Sequence, residues 1–194
     1  TCPVTRMGTV PQRTAYLDEH NRLVYQGEPF FPLGMYWSGI NQKELEVYAD
    51  SAFNCLMPYG MPNQEQMDLA QNHGLKVIYS VKDCFIFIKG HSQQIQTEED
   101  ELPFIRKKVE AFRDHPALLA WYINDEAPLT ELDRLIAHKE WLEELDPNHP
   151  TWSVLYQIDS IGGYYDSSHA IGTDPYPIPS KPAAIAGEWT RKTV

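Results

Sequence analysis

The sequence predicts an α/β chain folded as a partial (β/α) barrel of the TIM type, with about six strand–helix units behind an N-terminal β-hairpin. Three observations lead there. Near-continuous apolar runs alternate with segments of helical periodicity, the pattern of a parallel sheet covered on its outer face. Polar and aromatic residues gather just past each apolar run, where a barrel assembles its active site, whereas no GxGxxG, GxxxxGK(S/T) or GxSxG follows any of them. The 194 residues can bury one sizeable core but fall short of the about 250 of a complete eight-unit barrel.

The elements follow in order. Residues 15–31 hold two short extended runs and two turns, Asp18-Glu19-His20-Asn21 and Gln26-Gly27-Glu28-Pro29, which signal a hairpin able to plug the end of the barrel opposite the active site. Residues 1–30 are therefore read as an extension plus hairpin, and 31–194 as the partial barrel domain. Phe30 to Trp37 is the first strand, after which Asn41 caps a helix whose Leu45, Tyr48, Ala49 and Ala52 share a face. Phe53-Asn54-Cys55-Leu56-Met57 is the second strand, followed by a helix over 64–73 that Gly74 stops. Lys76 to Val81 is the third. A long loop with Asp83, Phe85, Phe87 and Gly90 leads into a helix over 97–112, acidic in its first turn. Leu118 to Ile123 is the fourth strand, Thr130 caps the helix that lasts to Leu145, and 151–155 and 169–173 are the fifth and sixth strands. A loop joins those two, and a last helix begins at Pro182.

Composition narrows the partners. With 16 Lys+Arg against 27 Asp+Glu the chain carries a net charge of −11, and no basic stretch interleaves with aromatics, so nucleic acid is not an expected partner. No apolar run approaches the roughly 20 residues of a membrane span. Cys2, Cys55 and Cys84 form no CxxC pair and read as buried thiols, and the seven His show neither HExxH nor metal-binding spacing, so neither metal nor cofactor is expected. No signal peptide is visible, and the opening Thr1 suggests a processed or trimmed chain, with export to periplasm or medium mildly favoured.

The chemistry concentrates in His115-Pro116-Ala117-Leu118-Leu119-Ala120-Trp121-Tyr122-Ile123-Asn124-Asp125-Glu126-Ala127-Pro128. A buried fourth strand that ends in an acidic pair closely followed by Pro resembles the clan A-type (β/α)8-barrel glycoside hydrolases. Gly27-Glu28-Pro29-Phe30-Phe31, Gly34-Met35-Tyr36, Phe53-Asn54 and Asp174-Pro175-Tyr176-Pro177 extend the likeness over most of the chain. The resemblance implies that Glu126 is the general acid/base. Where the commonest pattern has Asn directly before that Glu, this chain has Asp125, with Asn124 one place earlier as the candidate sugar contact. The family's nucleophile is a Glu ending the seventh strand, and no residue here matches it; Glu188 is flanked by helix signals instead.

Glycoside cleavage requires a carboxylic acid that protonates the leaving oxygen and a second carboxylate that attacks the anomeric carbon or activates water. Glu126, beside Trp121, Tyr122 and Asp125, is placed to have its proton affinity raised by desolvation and like charge. Asp125 and Glu126 could instead cap the following helix, and the two roles can coexist. Asp174, past the sixth strand, is a candidate for sugar hydroxyls or for the second carboxylate; Asp83, Asp159 and Asp166 are weaker loop acids. Trp37, Tyr59, Tyr156 and Tyr176 lie just past strand ends and could stack on pyranose faces. A carbohydrate is the expected partner, either for a hydrolase or for a non-catalytic binding module on an incomplete barrel. A homodimer is one way to cover the open sheet edges.

Overall fold

The computed structural model describes residues 13–37 and 39–193, so the expected thiol Cys2 and the start of the N-terminal extension lie outside the described residues. Each apolar run becomes a strand, and the six pair in sequence order into one parallel sheet: β4 (Gly34–Trp37), β5 (Cys55–Pro58), β6 (Lys76–Ser80), β7 (Leu118–Asp125), β8 (Thr151–Leu155) and β9 (Ala170–Thr173). β7 is buried along nearly its whole length, as a central strand covered on both faces must be, whereas the edge strands β4 and β9 are short and partly exposed. The helices are α1 (Gln42–Ala49), α2 (Gln64–Asn72), α3 (Glu101–Phe112), α4 (Leu132–Leu145) and α5 (Ile185–Thr193).

Local chemistry sets the helix ends. Asn41 accepts from the Glu44 N–H at 3.1 Å, and Asn63 and Gln66 form a reciprocal capping box on α2. Gly74, at φ +71°, turns the chain from α2 into β6.

The sheet is curled into an open partial barrel of about six βα units. One contact demonstrates the curvature. Tyr36 on β4 and Tyr122 on β7 are separated by two intervening strands, about 14 Å in a flat sheet at about 4.8 Å per strand, yet their hydroxyls meet at 2.8 Å. Both side chains rise from the concave face and converge across it. On the convex side Leu56, Val77, Leu118, Trp121 and Ile123 pack against helix residues such as Leu45, Met67, Ile105 and Leu142. On the concave side Cys55, Ile78, Ala120, Tyr122 and Val154 form a second core with Ala15 and Tyr25.

Ala15 and Tyr25 belong to a small antiparallel sheet, β1 (Ala15–Leu17), β2 (Leu23–Tyr25) and β3 (Glu28–Pro29). It is a three-stranded meander rather than a plain hairpin, because Gln26 and Gly27 both adopt positive φ (51° and 88°) and make a tight second turn. Ala15 N donates to Asn148 O at 2.9 Å and the Tyr25 hydroxyl to Pro116 O at 2.8 Å. Those contacts seat the meander against the amino ends of β7 and β8, opposite the strand ends that carry Glu126.

Two expectations are corrected. Thr130 caps nothing: a 3-10 turn over Leu129–Glu131 leads into α4 with no side-chain capping bond, since Pro128 has already set the entry. The stretch between β8 and β9 is not a plain loop but a run of 3-10 turns, Ile158–Ser167, held by the buried Tyr164. Cys55 and Cys84 are buried free thiols. Among the described residues no helix is long and apolar enough to cross a membrane.

Candidate active site

The carboxyl end of β7 departs from regular strand geometry. Its register against β8 shifts between Tyr122 and Asn124, so an extra residue is accommodated and the alternation of faces slips by one. Asp125, not Asn124, then shares the concave side with Tyr122. Glu126 follows at φ +60°, a left-handed conformation that a non-glycine residue adopts only when its surroundings enforce it. Here they do. Glu126 N donates to Val154 O at 2.9 Å, Gln157 Nε2 donates to Glu126 O at 3.0 Å, the Tyr164 hydroxyl donates to Ala127 O at 3.0 Å, and Ala127 N donates to Asn124 Oδ1 at 2.9 Å.

That turn brings carboxylates together. The Glu126 carboxyl faces Asp174 at the end of β9 and lies near Asp125; burial first, then the contact with Asp174, then the charges of Asp174 and Asp125 push its pKa up to about 7. The Tyr176 hydroxyl donates to Asp174 Oδ2 at 2.7 Å. Lys82, whose side chain is only 12 % exposed, lies 2.8 Å from Asp83 and 3.6 Å from Asp125. Burial raises the pKa of Tyr122 and of Tyr36 well above the usual phenol range, so both are neutral hydrogen-bonding groups. Beside Glu126 opens a hollow of about 370 Å3 lined by Lys82, Asp83, Phe87, Asp125 and Glu131 among others.

Of the residues singled out in the sequence, Glu126, Asp125, Asp174 and Tyr176 are brought together. Tyr59 stands at the same rim, half exposed and stacked on Tyr36 with ring centroids 4.9 Å apart. Tyr156 and Tyr176 line a neighbouring hollow of about 480 Å3 with Trp189 of α5. Trp37 does not join them: its Nε1 donates to Glu44 of α1 at 2.7 Å and its ring packs edge-on to Tyr48 in the outer core. Asn124 is 1 % exposed and spends its carbonyl on the Ala127 N–H, so it supports the turn from beneath. Asp83 is tied to Lys82, Asp159 pairs with Lys192 at 2.7 Å, Asp166 is exposed in the 3-10 run, and Glu188 is exposed on α5. Lys82, Tyr36, Tyr122 and Gln157 were not anticipated as site residues. The two tyrosines carry a signal in the sequence: each lies one residue from a tryptophan, and strand alternation sends one of each pair inward. Among the described residues no group of three or more His, Cys, Asp or Glu is arranged to hold a metal ion.

No protein-family model and no curated protein matches the chain. Solved structures do match in fold. A glycosyl hydrolase family 2 member from Bacteroides cellulosilyticus superposes with a TM-score of 0.60 at 14% identity, over 84% of this chain and 24% of that one. An FMN-binding beta-glucuronidase from Facaelibacterium prausnitzii gives 0.69 at 14% identity, over 93% and 30%, and a beta-glucuronidase from Parabacteroides merdae gives 0.69 at 10%, over 93% and 25%. The chain thus spans between about a quarter and a third of the length of these structures, and what it shares with that part of them is the curled parallel sheet and its helices.

Proposed function

We propose that this chain is the part of a glycoside hydrolase barrel that carries the general acid/base, Glu126, and that the second carboxylate lies outside these 194 residues. One observation carries the reading: at the carboxyl end of β7 the Glu126 carboxyl, its pKa pushed up to about 7 by burial and by Asp174, lies beside an open hollow. A carboxylic acid in that state can protonate a glycosidic oxygen as its bond to the anomeric carbon breaks, and the resulting carboxylate can then take a proton from water. The partial likeness in fold to proteins named as a glycosyl hydrolase and beta-glucuronidases supports a glycosidic substrate.

The lining favours a neutral sugar over a uronate. Asp83, Asp125 and Glu131 outnumber Lys82 and Lys89, and Lys82 is already engaged by two of them. An added carboxylate would meet repulsion there.

The test is hydrolysis of aryl glycosides, neutral and uronic, by the complete barrel that contains this chain and by its Glu126→Gln variant. A lost general acid matters little for a dinitrophenolate leaving group, which needs no proton, and costs about 10²–10⁴-fold for a poor leaving group. Equal rates for both proteins across the series would remove Glu126 from the chemistry.

A second reading, a non-catalytic carbohydrate-binding module, is favoured by the exposed rings of Tyr59, Tyr156 and Tyr176, which can stack on sugar faces without any second carboxylate. Sugar binding by calorimetry, without turnover in either protein and unaffected by Glu126→Gln, is the outcome that selects it.

A further inference from the structure

Lys82 lies just past β6, and its side chain is only 12 % exposed, yet it spends little of its hydrogen-bonding capacity. An ammonium group has three N–H donors. Among the described residues one of them is used, on Asp83 Oδ1 at 2.8 Å. Asp125 Oδ2 stands 3.6 Å away, close enough for an ion pair and too far for a direct hydrogen bond. A cation this far withdrawn from water needs acceptors for its remaining donors. The hollow of about 370 Å3 beside Glu126 is where they can be met: Lys82, Asp83 and Asp125 belong to its lining, and Phe87 and Pro128 add apolar surface against which the C–H face of a ring can lie.

The gap between Lys82 Nζ and Asp125 Oδ2 selects by chemistry. An oxygen about 2.8 Å from each atom closes a triangle on the 3.6 Å edge, with ordinary hydrogen-bond lengths on both sides. The group that sits there must accept from the ammonium and donate to the carboxylate at once. A carboxylate cannot donate and would be repelled by Asp125. An ammonium cannot accept and would be repelled by Lys82. A hydroxyl does both.

We infer that Lys82 and Asp125 together bind one hydroxyl of the sugar ring whose glycosidic oxygen reaches Glu126, which makes Lys82 a specificity-determining residue; the assignment rests on the reading of this hollow as the sugar site. Asp83, bonded to Lys82, fixes where the ammonium points. Asp125 and Glu126 are chain neighbours and both line the hollow, so a hydroxyl gripped at the gap sets the ring relative to the Glu126 carboxyl. A ring without that hydroxyl leaves a charged donor and a charged acceptor unmatched, and discrimination falls on that one position.

The experiment is calorimetric binding by the complete barrel that contains this chain, carrying Glu126→Gln so that no glycoside is turned over. The probes are the methyl glycosides of glucose, galactose and mannose, then the full set of monodeoxy analogues of the tightest binder. Removal of one particular hydroxyl is expected to weaken binding by about 10- to 100-fold. With Lys82→Met added, which keeps the aliphatic stem and removes the donors, the parent and that analogue should bind within about twofold of each other, while the ratios for the other analogues stay as they were. The inference is overturned by no binding of any of the glycosides at millimolar concentration, by the lack of any one position where binding collapses, or by a Lys82→Met variant that weakens every glycoside by the same factor, as a merely structural lysine would. If Lys82→Met does not fold, Asp125→Asn takes its place and should shrink the same ratio and no other; a ratio it leaves unchanged overturns the inference equally. Turnover is not read, so the outcome stands apart from the hydrolysis test: a Glu126 without a chemical role leaves the hydroxyl contact intact, and a catalytic Glu126 does not require it.

Discussion

Glu101, in the first turn of α3, and His138, midway along α4, are each 1 % exposed, with Oε2 and Nε2 3.1 Å apart. The same carboxylate accepts from Ile86 N at 2.7 Å and Arg134 Nη2 at 2.6 Å, and the His138 ring stacks on Phe85. One buried anion thereby ties the loop that walls the hollow beside Glu126 to both helices behind it. Burial alone would raise the Glu101 pKa, but the bonds from His138, Ile86 and Arg134 outweigh it and the net shift is downward; burial lowers that of His138, against the pull of Glu101. Both groups resist protonation in the folded state, so the unfolded chain binds protons first and stability falls with pH. The loss is expected to begin below about 6.5 through His138 and to steepen below about 4.5 through Glu101. Urea unfolding between pH 4 and 8 checks this. Glu101→Gln should cost about 3 kcal/mol at pH 7 and flatten the acid limb; an unchanged pH profile would show that the clamp does not contribute.

Gly34 opens β4 with its Cα against β5, where a Cβ would run into the Cys55 carbonyl oxygen and Sγ. A thiol can rotate away, but a ladder carbonyl cannot. Gly34→Ala is expected to lose about 2 kcal/mol, read as a lower urea midpoint with an unchanged slope. Adding Cys55→Ala should not restore it, because the carbonyl remains.

The fold was legible because each strand of a parallel sheet buried on both faces is a continuous apolar run, and Leu118 to Ile123 or Cys55 to Met57 cannot be read otherwise. Glu126, Asp125, Asp174 and Tyr176 were legible as a group because strand ends in a barrel converge on one rim. What failed was the direction of side chains at those ends. Trp37 follows the plain alternation of β4 and lands outside, against Tyr48, so counting faces from Tyr36 would have excluded it. Asn124 could not be excluded in that way, because the slip of register after Tyr122 is a property of how β7 meets β8 and leaves no mark in either strand alone. Lys82 escaped for a related reason: its contact with Asp125 depends on how the turn after β6 lies against the end of the adjacent β7.

That curl can itself be measured. The Tyr36–Tyr122 hydroxyl bond joins strands with two others between them, so it reports closure rather than local pairing. Tyr36→Phe and Tyr122→Phe should each cost about 1 kcal/mol, and the double-mutant cycle should return a coupling of about that size. Additive losses would mean that the two hydroxyls do not meet in solution.

Glu126 is expected to be a stability liability whose size depends on pH. Its folded pKa, near 7, lies above the unfolded value of about 4.5, so between those limits the folded chain holds a proton that the unfolded chain has released. Stability from this group is complete below about pH 4.5 and is lost as pH rises toward 7 and beyond. Glu126→Gln removes the titration while keeping the side-chain shape. It should therefore match the wild type at pH 5 to within a few tenths and exceed it by about 1 kcal/mol at pH 8, a figure set below the full linkage value because the carboxyl is partly solvated. Glu126→Gly should add the relief of the +60° backbone and be more stable than the wild type at both pH values. Urea midpoints at pH 5 and 8 decide the matter. A Gln variant with the same advantage at both would mean that packing, not the proton, makes this position costly, and the carboxyl would then have no special affinity to offer a leaving group.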